Sequence, residues 1–203
     1  MKLKKLAMIL DTLRPHPEPT PKLEQYTLLG EDAALFLWTA RYDLEDSVVV
    51  DLGCGSGRLA IGSALLGASF VVGVDVDLKA LKVAKDNALK AGVSHLTSWL
   101  LAKVPYLKVK ADVVIQNPPF GVQRKGADRD FIECALNLAP IVYSMHKSVE
   151  GGRSFISRTV RSLGGTIELL NTVEIRIPAL FHYHEKKFKK VKVDIYRFRR
   201  ANI

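Results

Sequence analysis

The sequence predicts a doubly wound α/β fold built on one mainly parallel sheet. Short apolar segments with the composition of buried strands alternate with amphipathic helical segments. Such alternation is typical of parallel sheets whose connecting helices cover both faces. Two long strand segments joined directly by a basic loop close the chain. We therefore expect seven strands, of which the C-terminal strand is antiparallel.

The N-terminal part is expected to be helical and then extended. Leu3, Leu6, Leu10 and Leu13 recur at helical spacing, and Pro15 ends this first helix. Residues 14–22 contain four prolines, which forbid helix and favour an extended connector. A second helix is expected over about residues 31–42.

Strands and helices then alternate through the middle of the chain. The predicted strands cover residues 47–52, 70–76, 96–101, 112–116, 141–145, 166–177 and 191–199. The predicted helices cover residues 57–67, 77–91, 128–138 and 148–163. The pair Gly151-Gly152 is expected to weaken the last of these helices, because glycine has a low helix propensity.

The overall composition is that of an ordinary soluble domain. The chain has 203 residues, of which 48% are hydrophobic and 25% charged, so one domain over 1–203 is expected. No apolar run reaches the roughly 18 residues that a membrane span needs, and the N-terminus lacks the features of a signal peptide. Cys54 and Cys134 lie far apart without metal-ligand spacing. We expect reduced thiols, a cytoplasmic location and no metal site.

A glycine-rich turn follows the first predicted strand. Asp51-Leu52 runs into Gly53-Cys54-Gly55-Ser56-Gly57, and a helical segment comes next. Glycines let the backbone turn tightly and approach a ligand closely. Dinucleotide-binding turns need Gly-x-Gly-x-x-Gly, whereas these glycines alternate. The carboxylate of Asp51 also suits a cationic amino-acid group better than a pyrophosphate.

The second predicted strand ends in an acid, Asp75. A carboxylate at this place can accept hydrogen bonds from both ribose hydroxyls of a bound nucleoside. The arrangement resembles the S-adenosylmethionine loop of class I methyltransferases, with a structural turn or a nicotinamide site as alternatives. The residues of this region expected to bind S-adenosylmethionine are Asp51, Gly53, Gly55, Gly57, Asp75 and Val76.

The fourth predicted strand ends in Asn117-Pro118-Pro119-Phe120. Neither proline can donate to a sheet ladder, so Asn117 is expected at the carboxyl end of the strand, where open α/β sheets bind ligands. An amide, a rigid turn and an aromatic ring suit a planar group that carries an NH2. A strand-ending turn with an incidental asparagine is the alternative.

This tetrapeptide resembles the Asn-Pro-Pro-aromatic motif of amino-methyltransferases, which act on adenine N6, cytosine N4 or a glutamine side-chain amide. The lone pair of an exocyclic amine is delocalised into the ring, so the amine is a poor nucleophile. The Asn117 side-chain oxygen and the Pro118 carbonyl can each accept one N–H bond and stabilise the positive charge that develops on nitrogen. Phe120 can stack on the base, worth about 1–3 kcal/mol. The predicted catalytic residues are Asn117, Pro118, Pro119 and Phe120.

Four elements of the sequence extend this resemblance. They are Leu23-Glu24-Gln25-Tyr26, Asp51-Leu52-Gly53-Cys54-Gly55, Asn117-Pro118-Pro119-Phe120-Gly121 and Val142-Tyr143-Ser144-Met145-His146-Lys147. In this order they are similar to the methyltransferase-like protein 5 family and its archaeal relatives, from about Leu23 to Phe198.

That resemblance implies a Rossmann-like sheet and methylation of one adenine at N6 in small-subunit ribosomal RNA. It implies that residues 1–45 form a helical extension and a segment covering the cofactor, that Gln25 and Asn117 help to enclose the cofactor, and that Asp75 holds its ribose. The family's eukaryotic members pair with a small zinc-binding activator protein that covers an apolar sheet edge.

The sequence departs from the family pattern in two places. After Tyr26 the family usually carries a threonine in a proline-containing turn, whereas this chain has Thr27-Leu28-Leu29-Gly30. The family also has an acid after the third strand, which would accept a hydrogen bond from the cofactor's adenine amine. Here residues 97–103 contain no carboxylate. The resemblance therefore leaves open what contacts the adenine.

The basic charge of the chain favours either solubility alone or a polyanionic partner such as RNA. The net charge is +9 and the isoelectric point is about 9.6. Residues 186–200 alternate basic with apolar residues, which indicates a strand with one buried face and one basic face. The leading hypothesis is methylation of adenine N6 in ribosomal RNA. A protein glutamine methyltransferase and a non-catalytic RNA-binding module with the same fold are the alternatives.

Overall fold

Seven strands form a single sheet in the computed structural model, which describes residues 1–20, 25–119, 126–178 and 188–200. The strands are β1 (Val48–Leu52), β2 (Phe70–Asp75), β3 (Thr97–Leu101), β4 (Val113–Gln116), β5 (Ile141–Lys147), β6 (Gly165–Pro178) and β7 (Phe188–Arg200). Their order across the sheet is β3-β2-β1-β4-β5-β7-β6. The first five are parallel, and β7 is antiparallel to both β5 and β6. This topology confirms the predicted fold class.

Helices cover both faces of the sheet. They are α1 (Leu3–Asp11), α2 (Gly30–Leu44), α3 (Arg58–Leu65), α4 (Leu78–Lys90), α5 (Ala127–Leu138) and α6 (Gly152–Ser162). Helices α1, α2 and α3 contribute to one buried apolar cluster, and α5 and α6 to a second. The side chains of Val113 and Ile115 belong to the first cluster, whereas Val114 between them belongs to the second. This alternation explains why the strands are apolar on both faces.

The glycine pair at the start of α6 does not weaken the helix, contrary to the sequence expectation. Gly151 is the residue before the helix and has φ +71°, and the helix begins at Gly152. Left-handed backbone costs glycine little, so Gly151 provides a sharp turn between β5 and α6. The pair therefore defines where the helix starts.

Close contact between α1 and α2 fixes the N-terminal part of the chain. The Gly30 N–H donates to Asp11 Oδ1 at 2.6 Å, and a Cβ atom on Gly30 would lie 2.5 Å from the Ala7 carbonyl oxygen. Only glycine permits this approach at the first turn of α2. As a result, residues 12–20 and 25–29 are held over the carboxyl end of the sheet. Within the described residues, none of the helices is long and apolar enough to cross a membrane.

Candidate active site

A cavity of about 360 Å³ opens at the carboxyl ends of β1, β2 and β4. Its walls come from the glycine turn, the ends of β2 and β4, the segment after β3, the N-terminal segment and α5. Of the predicted site residues, those lining the cavity are Gln25, Asp51, Gly53, Gly55, Asp75, Val76, Asn117 and Pro119. The parallel topology brings these distant parts of the sequence together, because all these strands end on the same edge.

The glycine turn is built on three left-handed residues. Gly53, Gly55 and Gly57 have φ values of +73°, +53° and +83°. A Cβ atom on Gly57 would lie 2.7 Å from the Trp99 ring, so Gly57 is required by packing rather than by the cavity. A Cβ atom on Gly55 would meet nothing within 4 Å. Gly55 is therefore needed for its backbone conformation, and its N–H donates to Asp75 Oδ2 at 2.8 Å.

Asp51 is a buried acid at the end of β1. Its Oδ2 accepts a 2.9 Å hydrogen bond from the Ala60 N–H, in the first turn of α3, and its Oδ1 has no partner among the described residues. Burial raises the pKa of this carboxyl to about 8, partly offset by the Ala60 hydrogen bond. Since an unpaired buried oxygen is costly, the cavity around Asp51 favours a ligand that brings a cation or a donor to it.

Asp75 ends β2 and faces the same cavity. Its two oxygens accept hydrogen bonds from the backbone N–H groups of Asp77, at 2.9 Å, and Gly55, at 2.8 Å. Burial raises its pKa, and these two hydrogen bonds act against that rise. The carboxylate is thus held in one orientation with lone pairs left for a ligand.

Asn117 lies at the end of β4 and is held by Tyr26. The Tyr26 hydroxyl donates to Asn117 Oδ1 at 2.9 Å, and both side chains line the cavity. Pro118 is buried and Pro119 is half-buried. Phe120 lies outside the described residues, so its predicted stacking role stays a prediction. The sequence did not predict a role for Tyr26, although Tyr26 belongs to the family-like element Leu23-Glu24-Gln25-Tyr26.

The N-terminal segment is fastened to the start of α4 through Asp77. Gln25 Nε2 donates to Asp77 Oδ2 at 2.9 Å, and His16 Nε2 shares that oxygen at 2.9 Å. His16 Nδ1 accepts from the Glu18 N–H at 3.1 Å, so the ring proton sits on Nε2 and is donated to Asp77. Partial burial tends to raise the pKa of Asp77, but hydrogen bonds from Gln25, Lys79 and His16 lower it overall.

These contacts change the expectation for Gln25. It lines the cavity as predicted, but its amide bonds to Asp77 and to the Thr20 N–H, at 3.0 Å, rather than being presented to the cavity. Sequence reasoning did not identify His16 or Asp77. The sequence offered one indication: His16 lies among prolines and Asp77 follows Asp75 by two residues. Both side chains can form hydrogen bonds, and Asp77 lies close to the carboxyl end of β2.

The segment after β3 lacks an acid in the structure as in the sequence. Ala102, Lys103 and Val104 line the cavity there, and the Ala102 N–H donates to the Asp75 carbonyl at 3.0 Å. Thr27 also lines the cavity, and its hydroxyl accepts a long hydrogen bond from the His16 N–H at 3.4 Å. Two apolar residues and the cationic Lys103 therefore line the wall at the position where the family has a carboxylate.

His146 is structural rather than a contact in this cavity. It is 3% exposed, and its Nε2 lies 2.6 Å from Ser144 Oγ, which also accepts from Gln116 Nε2 at 3.0 Å. Burial lowers its pKa to about 3. The described residues contain no group of three or more His, Cys, Asp or Glu side chains able to hold a metal ion.

Charge complementarity makes this cavity suitable for S-adenosylmethionine. The unpaired Asp51 oxygen matches an ammonium group, and the oriented Asp75 carboxylate matches a pair of ribose hydroxyls. Asp51, Asp75 and the glycine turn would hold this molecule. The residues present therefore fit the cofactor that the sequence predicts.

Comparison with known proteins agrees with this geometry. The family model described as ribosomal protein L11 methyltransferase (PrmA) matches residues 34–118. A crystal structure from Pyrococcus horikoshii, PH1948, is 37% identical, covers 100% of this chain and 99% of its own, and superposes with a TM-score of 0.92. Magnesium protoporphyrin IX methyltransferase from Synechocystis, solved with bound S-adenosylmethionine, shares the fold at 19% identity, a TM-score of 0.63 and coverage of 83% and 77%. The fold and site define a class I S-adenosylmethionine-dependent methyltransferase.

Similarity over almost the whole chain identifies the family. The rRNA N(6)-adenosine-methyltransferase METTL5 of Danio rerio is 33% identical over 98% of this chain and 99% of its own length. The Methanocaldococcus jannaschii protein MJ0284 is 40% identical over 97% of this chain and 94% of its own length. The chain belongs to the METTL5 family of methyltransferases, as its sequence elements predict.

Proposed function

We propose that this protein transfers a methyl group from S-adenosylmethionine to adenine N6 in ribosomal RNA, and specifically in small-subunit RNA. The observation that carries the proposal is the placement of Asn117 at the end of β4, in the same cavity as Asp51 and Asp75. An amide oxygen suited to an NH2 group thus lies beside a site suited to the methyl donor. The relatives named as rRNA N(6)-adenosine-methyltransferases support the choice of acceptor.

In the proposed mechanism, Asn117 and Pro118 orient and activate the amine. Bound S-adenosylmethionine supplies an electrophilic methyl group. The Asn117 Oδ1 atom accepts one N–H bond of the adenine amine and the Pro118 carbonyl accepts the other. Both acceptors favour a tetrahedral, electron-rich nitrogen and become stronger partners as positive charge develops on it. Holding the amine in line with the methyl group supplies a further advantage through proximity.

The proposed RNA surface is formed by exposed cations near the two ends of β7, because both faces of the middle of this strand are buried. Lys189, Lys192, Arg199 and Arg200 are exposed on β7, whereas Val191, Val193 and Phe198 are buried. Lys190 and Arg197 on the same strand are paired with Glu174 and Glu168. The exposed cations suit a phosphate backbone, and the reacting base must leave its stack to enter the cavity.

A protein acceptor remains the second candidate function. The match to the ribosomal protein L11 methyltransferase model ends at Pro118, so it covers the proposed cofactor-binding half and does not reach the C-terminal strands. A glutamine side-chain amide also carries an NH2 group that Asn117 and Pro118 can hold. A protein acceptor leaves the basic residues of β7 without a role. A non-catalytic RNA-binding module would use those residues but would leave Asn117 without a role.

We also propose a small zinc-binding activator protein as partner and the cytoplasm as the compartment. The support for a partner is the edge strand β3, which pairs on one side only with the described strands and where Leu100 is 36% and Leu101 is 52% exposed. An unpaired edge with apolar side chains is suited to covering by another chain.

Radiolabelled methyl transfer tests the proposed reaction. We expect label in N6-methyladenosine after incubation with small-subunit ribosomal RNA and nucleoside analysis. The Asn117→Ala variant should bind S-adenosylmethionine normally and transfer at least a hundredfold more slowly. Label found only in protein would refute the RNA acceptor, and cofactor binding without transfer to any substrate would favour the non-catalytic module.

A further inference from the structure

Arg58 is a buried cation in the wall of the cavity that the proposed mechanism does not use. It is the first residue of α3, directly after the glycine turn, and it is 8% exposed. The side chain lines the cavity together with Asp51 and Leu28. A buried arginine is costly unless its charge is balanced by a partner.

The partners of Arg58 within the described chain are neutral. One Nη donates to the Leu28 carbonyl and the other to the Leu13 carbonyl, the latter at 2.9 Å, and Nε has no partner. A guanidinium has five N–H donors, so these two hydrogen bonds leave donors for a further acceptor. Burial lowers the pKa of Arg58, with the nearby charge of Asp11 acting in the opposite direction. Asp11 is itself engaged by the Gly30 N–H at 2.6 Å.

Arg58 and Asp51 form a complementary pair of unsatisfied charges. In the part of the chain that the structure describes, Asp51 Oδ1 and Arg58 Nε are buried atoms without a hydrogen-bond partner, and both residues line one cavity. A carboxylate and a guanidinium that do not satisfy one another match a zwitterion, which offers an ammonium to one and a carboxylate to the other. The amino-acid group of S-adenosylmethionine is such a zwitterion, and the oriented Asp75 carboxylate takes the ribose.

We propose that Arg58 binds the carboxylate of the cofactor's amino-acid group and makes the site selective for a donor that carries this carboxylate. This inference rests on the proposed function, because it concerns the same donor site. Arg58 also donates to the Leu28 carbonyl, within the segment 27–30 that departs from the family pattern.

A pair of ligands that differ only in the carboxylate tests the proposal by binding alone. We would measure dissociation constants of S-adenosylmethionine and of decarboxylated S-adenosylmethionine by calorimetry, with the full chain and without RNA. Charge-assisted hydrogen bonds contribute about 1.5–3 kcal/mol, so the wild-type protein should bind the carboxylate-bearing ligand about 10- to 100-fold more tightly.

The Arg58→Met variant should lose most of this preference. Methionine keeps an unbranched apolar stem and removes the charge, so the ratio of the two dissociation constants should fall at least tenfold while the decarboxylated ligand binds within about threefold of wild type. Arg58→Lys should keep part of the preference. Lys90→Met is the matched control, since Lys90 also donates to a backbone carbonyl of the N-terminal segment, that of Thr12, but does not line the cavity. It should leave the ratio unchanged.

Several results would overturn the proposal. An equal loss of affinity for both ligands in Arg58→Met would show that Arg58 only holds Leu13 and Leu28 in place. If Arg58→Met does not fold, the ratio of the two dissociation constants in the wild type and in Arg58→Lys tests the proposal instead. A wild-type protein that shows no preference for the carboxylate-bearing ligand refutes it. Binding of neither ligand by the wild type would instead refute the donor site. If the wild-type protein prefers the carboxylate-bearing ligand but transfers no methyl group to RNA, the proposed function is refuted and the role of Arg58 is supported.

Discussion

The Tyr26 hydroxyl donates a 2.9 Å hydrogen bond to Asn117 Oδ1, across 91 positions of sequence. An amide oxygen only accepts, so in this contact the hydroxyl is the donor and holds the Asn117 side chain by its oxygen. The Asn117 oxygen keeps a second lone pair for the target amine. Tyr26 is therefore a positioning residue for the proposed acceptor chemistry.

Replacing Tyr26 with phenylalanine should slow methyl transfer while leaving the cofactor in place. Without the hydroxyl the amide of Asn117 is free to rotate, and the loss of about 1 kcal/mol of orientation corresponds to roughly a fivefold lower kcat. Steady-state kinetics would measure kcat and a cofactor titration the affinity. An unchanged kcat, or a loss confined to cofactor affinity, would show that the bond to Asn117 does not position the acceptor.

Removing the charge of Asp75 should weaken cofactor binding far more than turnover. In Asp75→Asn the single remaining carbonyl oxygen cannot hold the Gly55 and Asp77 N–H groups and a ribose at once. We expect the dissociation constant of S-adenosylmethionine to rise about 10- to 100-fold, as measured by calorimetry, with kcat at saturating cofactor changed little. Equal affinity in the variant and the wild type would contradict the ribose role.

The stability of the protein without cofactor should fall as the pH rises towards 8. Burial raises the pKa of Asp51 to about 8 from its ordinary 3.8, so the folded state binds more protons than the unfolded state between these values. Its contribution to the free energy of unfolding is therefore lost as the pH rises through this window, at no more than about 1.4 kcal/mol per pH unit. Urea unfolding between pH 6.5 and 8 would measure the slope, because burial lowers the pKa of His146 to about 3 and its contribution rises with pH below its ordinary 6.5.

Asp51→Asn provides the comparison for that measurement. The asparagine does not titrate, so stability should fall less steeply with pH in the variant. Asp32 and Asp75 also have raised pKa values, so part of the pH dependence should remain. Cofactor binding at pH 7 should release a proton from the wild type, because an ammonium favours the ionised carboxylate. The same slope in both proteins would rule out Asp51 as the titrating group.

Loosening the contact of Gln25 with Asp77 should speed up cofactor dissociation. Gln25→Leu removes a 2.9 Å hydrogen bond that holds the N-terminal segment at the cavity, while Asp77 keeps its own 2.8 Å bond from the Lys79 N–H at the start of α4. We expect a several-fold higher dissociation rate in stopped-flow measurements. Asp86→Ala, which breaks an exposed ion pair to Arg14, is the control and should have no effect. Equal rates in all three proteins would show that the segment does not retain the cofactor.

The sequence by itself determined the order of elements and the two motifs. Strand periodicity and the breaks at Gly57, Gly92 and Pro118 are local properties of the chain, so the helices and strands could be located to within a few residues. Asp51, Asp75 and Asn117 could be selected because each ends an apolar strand, and parallel strands end on one edge. The alternation of basic and apolar residues in β7 predicted one buried and one basic face, and this prediction is wrong. Val193 and Phe198 lie on opposite faces and are both buried, so the exposed cations lie towards the ends of the strand.

The tertiary structure alone decided which side chains satisfy one another. His16, Gln25 and Asp77 meet, as do Tyr26 and Asn117, because the α1–α2 packing at Gly30 folds a proline-rich segment back over the sheet. Arg58 appears in sequence as an ordinary charged residue at a helix start. Its burial between the Leu13 and Leu28 carbonyls depends on the same packing. Hydrogen bonds between distant segments leave no periodic pattern in the sequence, so this burial could not be predicted from it.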